Sequence, residues 1–434
     1  MEPYSPHHLA GVWRRLRQHP VTGRSRETAV GVDGTRAAVF EKNLEASLRE
    51  ISRRIMRAGA DGLPSYRFGP LLRHEKLKPN GGVRPIHIPR LRDQIVLRAM
   101  HEDLVAAGAL AGLSLRSALP VAAVGSFRSV LRPDSVVLRA DVANFFDSVP
   151  RARAIEAALA LPVMSTTAGL LQVWDGGLTA RMPWTAGKES DMPAPGLPQG
   201  LSLSASLAEL WASRLDRHEH VPRFYFRYVD DIAVVCAGSR EAENALDWLV
   251  AATKQAGLLL SPSKTAILRI GEGVRWLGLV HYNDRVIVED DRPERWLKRF
   301  AAIRREAAAA LRLPSADKSA VLADFHRAVC DEISGRTSSR PAWYATVEDR
   351  GEWRRMDRSL HALIRSVHRQ AGAPPPHGRQ LPSIHRAVCS RRKLLSAPST
   401  AEQGPCATLL REGETTADQG HKAPDGAELS SCMA

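Results

Sequence analysis

The chain has 434 residues, 44% hydrophobic and 25% charged, a composition that suits a globular protein of about two to three domains. No run near 18 uninterrupted apolar residues occurs, and the N-terminus, MEPYSPHHLAGVWRRLRQHP, lacks the apolar core of a secretory signal, so neither a membrane span nor a leader is expected. The net charge is +14, and because residues 396–434 hold two basic and six acidic residues, the remainder carries 59 basic against 41 acidic ones. An Arg-rich composition accounts for part of this, but a body so basic also attracts polyanions, of which nucleic acid is the default.

In chain order, residues 1–30 read as a basic, irregular extension. Phe40, Leu44, Leu48, Ile51 and Ile55 then recur at helical spacing. "KLKPNGGVRPIHIP" (Lys76–Pro89) predicts a hairpin, with a Pro-Asn-Gly-Gly turn between short strands. Leu91, Ile95, Met100 and Leu104 mark an amphipathic helix. "SVVLRADVANFFDS" (Ser135–Ser148) opens as a β-branched strand and turns into a loop or short helix. "LSLSASLAELWASRLD" (Leu201–Asp216) predicts a helix with Leu203, Leu207, Leu210, Trp211 and Leu215 on one face. "FYFRYVDDIAVVC" (Phe224–Cys236) predicts a hairpin whose turn contains two acids. A helix over 241–256 and a strand over 265–270 follow. Three basic helical stretches occupy 292–370, and "AGAPPPHG" then breaks regular structure. The Ser-, Gly- and Pro-rich tail from 373 to 434 is expected to be mostly disordered. Interleaved strands and helices suggest an α+β or α/β fold.

Five scattered cysteines form no CxxC pair, which fits a reducing cytoplasm and argues against a zinc site or a disulfide framework. His218 and His220, in "RHEHVP", could chelate a metal only from a strand; with no third ligand evident, a solvated loop is the better reading. His87 and His101 read as ordinary surface or core histidines.

The chemistry concentrates in three acids. Asp141 ends one apolar strand, and Asp230 and Asp231 sit at a hairpin tip. If the two strands are neighbours, three carboxylates converge, which is costly unless divalent cations neutralise them. Oxygen ligands select Mg²⁺, with Mn²⁺ as the alternative. Two such ions about 4 Å apart suit phosphoryl transfer. Two unrelated solvated acidic turns are the competing reading of the acids alone. Arg84 follows the glycine hairpin, and Lys76 and Lys78 precede it; such a loop can fold over phosphates, or it can be a solvated charged hairpin.

The surrounding motifs resemble the reverse transcriptase family, in its bacterial, group II intron-like branch. "GVDGT" (Gly31–Thr35) is similar to that branch's opening signature, and "GGVRPIHIPRLRDQIV" (Gly81–Val96) to its fingers motif. "RADVANFFDSV" (Arg139–Val149), "GLPQGLSLSASLAEL" (Gly196–Leu210) and "YVDD" (Tyr228–Asp231) resemble motifs A, B and C. "GLLLSPSKT" (Gly257–Thr265) and "WLGL" (Trp276–Leu279) resemble motifs D and E. Seven motifs in order and at agreeing spacing are strong, where "YVDD" alone is weak.

The resemblance implies an α+β right-hand polymerase: fingers and palm over 31–283, a helical basic thumb over 284–372, and RNA-directed DNA synthesis. It makes Asp141, Asp230 and Asp231 catalytic, with Val142 joining them around the metal through its backbone. It assigns Lys78, Arg84, Val142, Ala143, Phe146, Gln199, Gly200 and Lys264 to the incoming nucleotide. Phe146 would exclude a 2′-hydroxyl, or be a core aromatic as Phe145 is expected to be. Gln199 would position the base or sugar and Gly200 would let the backbone approach the nucleotide, or the pair would simply start a helix. Lys264 would protonate the departing pyrophosphate or pair with it; a plain surface lysine is the alternative. Tyr228, Trp276, Leu277 and Gly278 would support the primer end. The implied partners are an RNA template, a nucleic-acid primer, dNTPs and, as a candidate, a dedicated non-coding RNA.

Within the family, Cys389, Cys406 and Cys432 lack the clustered partners of an intron-type endonuclease, so that module is not expected. "PQGLSLS" departs from the "PQGG" common among maturases, and Gln199-Gly200 differs from the SQ of diversity-generating enzymes. The motif B and "FRYVDD" segments most resemble abortive-infection and defence-associated enzymes, which implies an antiphage role. An intron maturase or a decayed RNA-binding protein are the alternatives, and the intact acids count against the latter.

Overall fold

The structure is a computed structural model. It describes residues 3–17, 31–77, 82–109, 120–179, 196–288, 292–333, 347, 350–374, 376 and 381–386. All of these fall in one unit, Met1–Arg392; the second unit, Lys393–Ala434, lies outside the described residues, as does most of the tail expected to be disordered.

The first departure from expectation is at the N-terminus, where α1 (Pro6–Arg17) replaces the irregular extension over its described part. Ser5 caps this helix: its side-chain oxygen accepts from the His8 amide at 3.3 Å and its carbonyl from Leu9 at 3.0 Å. Pro6 supplies a preset φ at the first turn, and Arg14, Arg15 and Arg17 favour the last one. Leu9, Val12 and Trp13 are buried, with Trp13 against Phe40. The helix expected over 40–55 breaks at Asn43 into α2 (Ala37–Lys42) and α3 (Leu44–Met56). As expected, β1 (Leu72–Leu77) and β2 (Val83–Ile88) form an antiparallel hairpin, followed by α4 (Leu91–Ala106).

After α5 (Pro120–Ser129) comes β3 (Val136–Asp141), then the single turn α6 (Phe145–Ser148), α7 (Arg151–Leu159) and α8 (Ser165–Thr179). The expected α9 (Ser202–Asp216) precedes the hairpin β4 (Tyr225–Tyr228) and β5 (Asp231–Cys236). α10 (Ser239–Gln255) and β6 (Ala266–Arg269) also match expectation. The four strands make one antiparallel sheet in the order β4-β5-β3-β6.

The central strands β3 and β5 are buried on both faces, and their period-two alternation sorts residues between two cores. Val136, Leu138 and Ala140 of β3 and Ile232, Val234 and Cys236 of β5 pack with α4, α7, α9 and α10. Val137 of β3 and Ala233 and Val235 of β5 pack with Phe127 of α5 on the other side. That second core continues into a three-stranded sheet, β7 (Val274–Trp276), β8 (Leu279–His281) and β9 (Val286–Val288). It also takes in the three expected helices, α11 (Arg292–Ala310), α12 (Lys318–Ile333) and α13 (Arg350–Ala371), through Trp296, Phe300, Phe325, Trp353 and Ile364. Each such side chain contributes roughly 1.5–3 kcal/mol by leaving water. Beyond α13, Leu381 and Ile384 are buried in the same core, held by Asp357, whose carboxylate accepts from Ser383 and the Ile384 amide. No helix among the described residues is long and apolar enough to cross a membrane.

Candidate active site

The β3–β5 register sets Asp141 directly opposite Asp231. Both belong to the face that carries Val137 and Ala233, so the pleat turns both carboxylates the same way. Asp230 precedes Asp231 in a two-residue turn, because Tyr228 pairs with Asp231. Its carbonyl accepts from the Val142 amide at 3.0 Å, which laces the turn to the end of β3. The other turn residue, Val229, has φ +62°. Turns of this kind favour glycine there, and a β-branched residue at positive φ is strained by about 1–3 kcal/mol.

Under the turn lies Arg227, on the opposite face from Tyr228. Its guanidinium donates to the Val229 carbonyl at 2.9 Å, to Asp216 at 2.8 Å, and pairs with Glu209 at 2.9 Å. Burial opposes its charge, but Asp216 and Glu209 more than compensate, and its pKa is raised.

The carboxylates are neutralised unevenly. Lys264, from motif D, places its ammonium 2.8 and 2.9 Å from the two oxygens of Asp141. Asp230 is pushed up by burial and then by the charge of Asp141, against the pull of Lys264 and Arg84. Asp231 is pushed up to about 6, mainly by burial, with Arg139 and the Leu277 amide opposing and Asp230 and Asp141 reinforcing. The Leu277 amide donates to one oxygen of Asp231 at 3.2 Å; the other is buried without a hydrogen bond, 3.9 Å from Arg139.

The remaining predicted residues fall around this centre. Motif A meets motif B where the Leu197 amide donates to the Phe146 carbonyl at 2.8 Å. Gly196 is needed at that contact, since a Cβ would stand 2.6 Å from the Asp147 carbonyl oxygen. Phe146 is half-buried with its ring edge-on to the buried Phe145. The Gln199 carbonyl accepts from the His87 amide of β2 at 2.7 Å, and Gly200, at φ +107°, is crowded by Ile86 and His87. The exposed Arg84 lies on β2, near enough for its charge to act on Asp230. Lys78 lies outside the described residues.

The backbone of Ala143 is committed inside the fold: its amide donates to Leu259 at 2.8 Å and its carbonyl accepts from Ser148 at 3.1 Å. Trp276 is fully buried against Phe127 and Phe226, while Leu277 (φ +51°) and Gly278 (φ +73°) form the β7–β8 turn that touches Asp231. Tyr228 is half-buried beside this core. His218 is engaged by Gln255 at 2.8 Å, consistent with a loop rather than a chelating pair, and His101 is bonded to Ser206.

The donors gathered here are oxygens, and one buried carboxylate oxygen lacks a hydrogen bond, so the chemistry fits a hard divalent cation. Among the described residues, however, no three His, Cys, Asp or Glu side chains form a ready-made ligand set; Lys264 is bonded to Asp141 and the Leu277 amide to Asp231. Arg139 and Arg227 were not anticipated as parts of the site, and Leu277 was expected at the primer end rather than as a donor to Asp231. For Arg227 a signal existed, because it occupies an inward position of an otherwise apolar strand.

The family model described as "Reverse transcriptase (RNA-dependent DNA polymerase)" matches residues 76–281. Among solved structures, the chain is similar to apo telomerase from Candida tropicalis, at 11% identity and TM-score 0.43, covering 83% of this chain and 69% of that one. It is also similar to telomerase from Candida albicans in complex with a TWJ fragment of telomeric RNA, at 10% identity and TM-score 0.35, covering 88% and 69%. No curated protein sequence matches the chain.

Proposed function

We propose that the reverse transcriptase domain carried over residues 76–281, an RNA-directed DNA polymerase of right-hand α+β fold, extends a primer on an RNA template through a two-metal centre at Asp141, Asp230 and Asp231. The observation that carries this reading is the register pairing of Asp141 with Asp231, with Asp230 in the adjoining turn. The three carboxylates and the Val142 carbonyl would hold two Mg²⁺ ions, or Mn²⁺. When bound, such ions stabilise the charge on the attacking and leaving oxygens.

The chain's own residues account for the rest. Arg84, with Lys78 beyond the described part of the same hairpin, would bind the triphosphate, for which a planar guanidinium is well suited. Phe146 would lie against the sugar, while Gln199 and Gly200 would meet the nucleotide where motif B docks on β2. Ala143 would contribute only by sharing backbone groups that now bind Leu259 and Ser148. Lys264 would leave Asp141 when the centre fills, and its Nζ could then give a proton to the departing pyrophosphate. Tyr228, Trp276, Leu277 and Gly278 would set the primer end against Asp231. The basic faces of α11 and α13 would hold the template–primer backbone.

The test is primer extension on an RNA template with Mg²⁺, by wild type and by Asp230→Ala. Synthesis by the first and none by the second is expected; no synthesis by wild type across primers and metals overturns the reading. The likeness of motifs B and C to defence-associated enzymes supports an antiphage role, with a dedicated non-coding RNA as candidate partner. A phage challenge in which Asp230→Ala protects as well as wild type would reject that role.

A further inference from the structure

We infer that Arg227 is a positioning residue: a buried clamp that fixes the Val229–Asp230 peptide and so aims the Asp230 carboxylate. The inference rests on the reading of Asp230 as part of the catalytic cluster. The Arg227 side chain joins α9 to the turn, bonding Asp216, Glu209 and the Val229 carbonyl.

Its side chain is 2% exposed, and so is that of Glu209. Glu209 and Asp216 lie two turns apart on α9, so the helix holds the guanidinium from two points. A planar fork fixed in this way has its remaining nitrogen directed at one target, the Val229 carbonyl at 2.9 Å.

That target matters because of the turn. Val229 is held at φ +62°, where a β-branched residue is strained and the adjoining peptide tends to rotate away. The peptide whose oxygen Arg227 holds is the one that ends at the Asp230 nitrogen. The next peptide is held by Val142, whose amide donates to the Asp230 carbonyl. Asp230 is therefore bracketed by two restrained peptides, and its Cα–Cβ direction follows from both. Because α9 starts two residues after Gly200, the helix that opens at the nucleotide-facing motif also anchors the catalytic turn.

Burying an Arg with two carboxylates could serve the fold alone, and the two roles separate by experiment. Lysine at 227 keeps the charge but replaces the rigid fork, whose three nitrogens bond Asp216, Glu209 and Val229, with a single ammonium centre on a flexible stem. Glycine at 229 accepts positive φ without strain and makes the clamp dispensable. Full-length Arg227→Lys, Val229→Gly and the double variant would be compared in primer extension and in thermal melts.

In the wild-type background, Arg227→Lys should lower kcat about tenfold or more, with KM for dNTP and template–primer Kd changed by less than about twofold. In the Val229→Gly background the same change should lower kcat by less than about threefold. Equal losses in both backgrounds, or no loss in the first, overturn the proposal. The melts read the same cycle without activity: Val229→Gly should raise Tm more when residue 227 is Lys than when it is Arg, and additive shifts reject the clamp. If Arg227→Lys fails to fold, Asp216→Asn loosens the same fork at a carboxylate that is partly exposed. An inactive wild type would refute the polymerase reading instead and leave the melting cycle to decide on Arg227.

Discussion

Lys264 and Asp141 form a two-point ion pair across 123 residues of chain, with the ammonium where a divalent cation would otherwise neutralise the carboxylate. Ammonium and metal therefore compete for Asp141. Lys264 is 51% exposed, so the pair is worth well under 1 kcal/mol to about 1 kcal/mol. Lys264→Met should tighten Mn²⁺ binding by roughly three- to fivefold, read by electron paramagnetic resonance, while lowering turnover. Unchanged or weaker Mn²⁺ binding would show that the lysine does not compete.

Phe146→Ala should raise incorporation of ribonucleotides relative to deoxynucleotides by about tenfold or more. The ring stands half-buried on Phe145, at the carbonyl that joins motif A to motif B. Competition assays with paired rNTP and dNTP substrates check this, and an unchanged sugar ratio in a folded variant removes the role.

Gly196→Ala should destabilise the fold by about 2–4 kcal/mol. Its Cβ would meet Asp147 backbone atoms at 2.6–2.9 Å, and backbone cannot swing aside as a long side chain can. Denaturant unfolding gives the number; a change below about 0.5 kcal/mol would mean that the motif A–motif B contact is looser than it stands here.

Acid should weaken the fold through His281. Burial pulls this imidazole down to about 4, with its Nε2 against the Trp276 carbonyl and Phe127 on its ring. Between about pH 6.5 and 4 the unfolded chain takes up a proton that the folded chain refuses, so stability falls as pH drops through that window. Asp230 and Asp231, whose folded pKa values are raised, act in the opposite sense, since their contribution is lost as pH rises. The difference between wild type and His281→Gln isolates the histidine, on the order of 2 kcal/mol across the window. Parallel pH–stability curves for the two proteins would contradict this.

Much of the centre was legible because acids stand out against apolar strands. The alternation in "VVLRAD" and "DDIAVVC" marks both strands, and the hairpin turn places Asp230 without knowledge of the fold. Contacts made at a distance were not legible. Nothing in "SPSKT" says that Lys264 reaches Asp141, nor in "WLGL" that the Leu277 amide reaches Asp231. The helix α1 was overlooked because its arginines dominate the composition, although Leu9, Val12 and Trp13 keep helical spacing behind a Ser-Pro start. α5, α7 and α8 went unread for a related reason: their apolar residues do not form a clean stripe, so period gives way to tertiary packing.

The two-sided burial of β3 and β5 bears on how this protein can be cut. Val137, Ala233 and Val235 complete a core that also contains Trp276, Trp296 and Trp353. Removing the helices after residue 288 would open the far side of the core that begins on the strands carrying Asp141 and Asp231, leaving apolar side chains of that core open to water and to other chains. The C-terminal helices are thus no detachable module, and a shortened chain that keeps this core closed would retain them through at least Ile384.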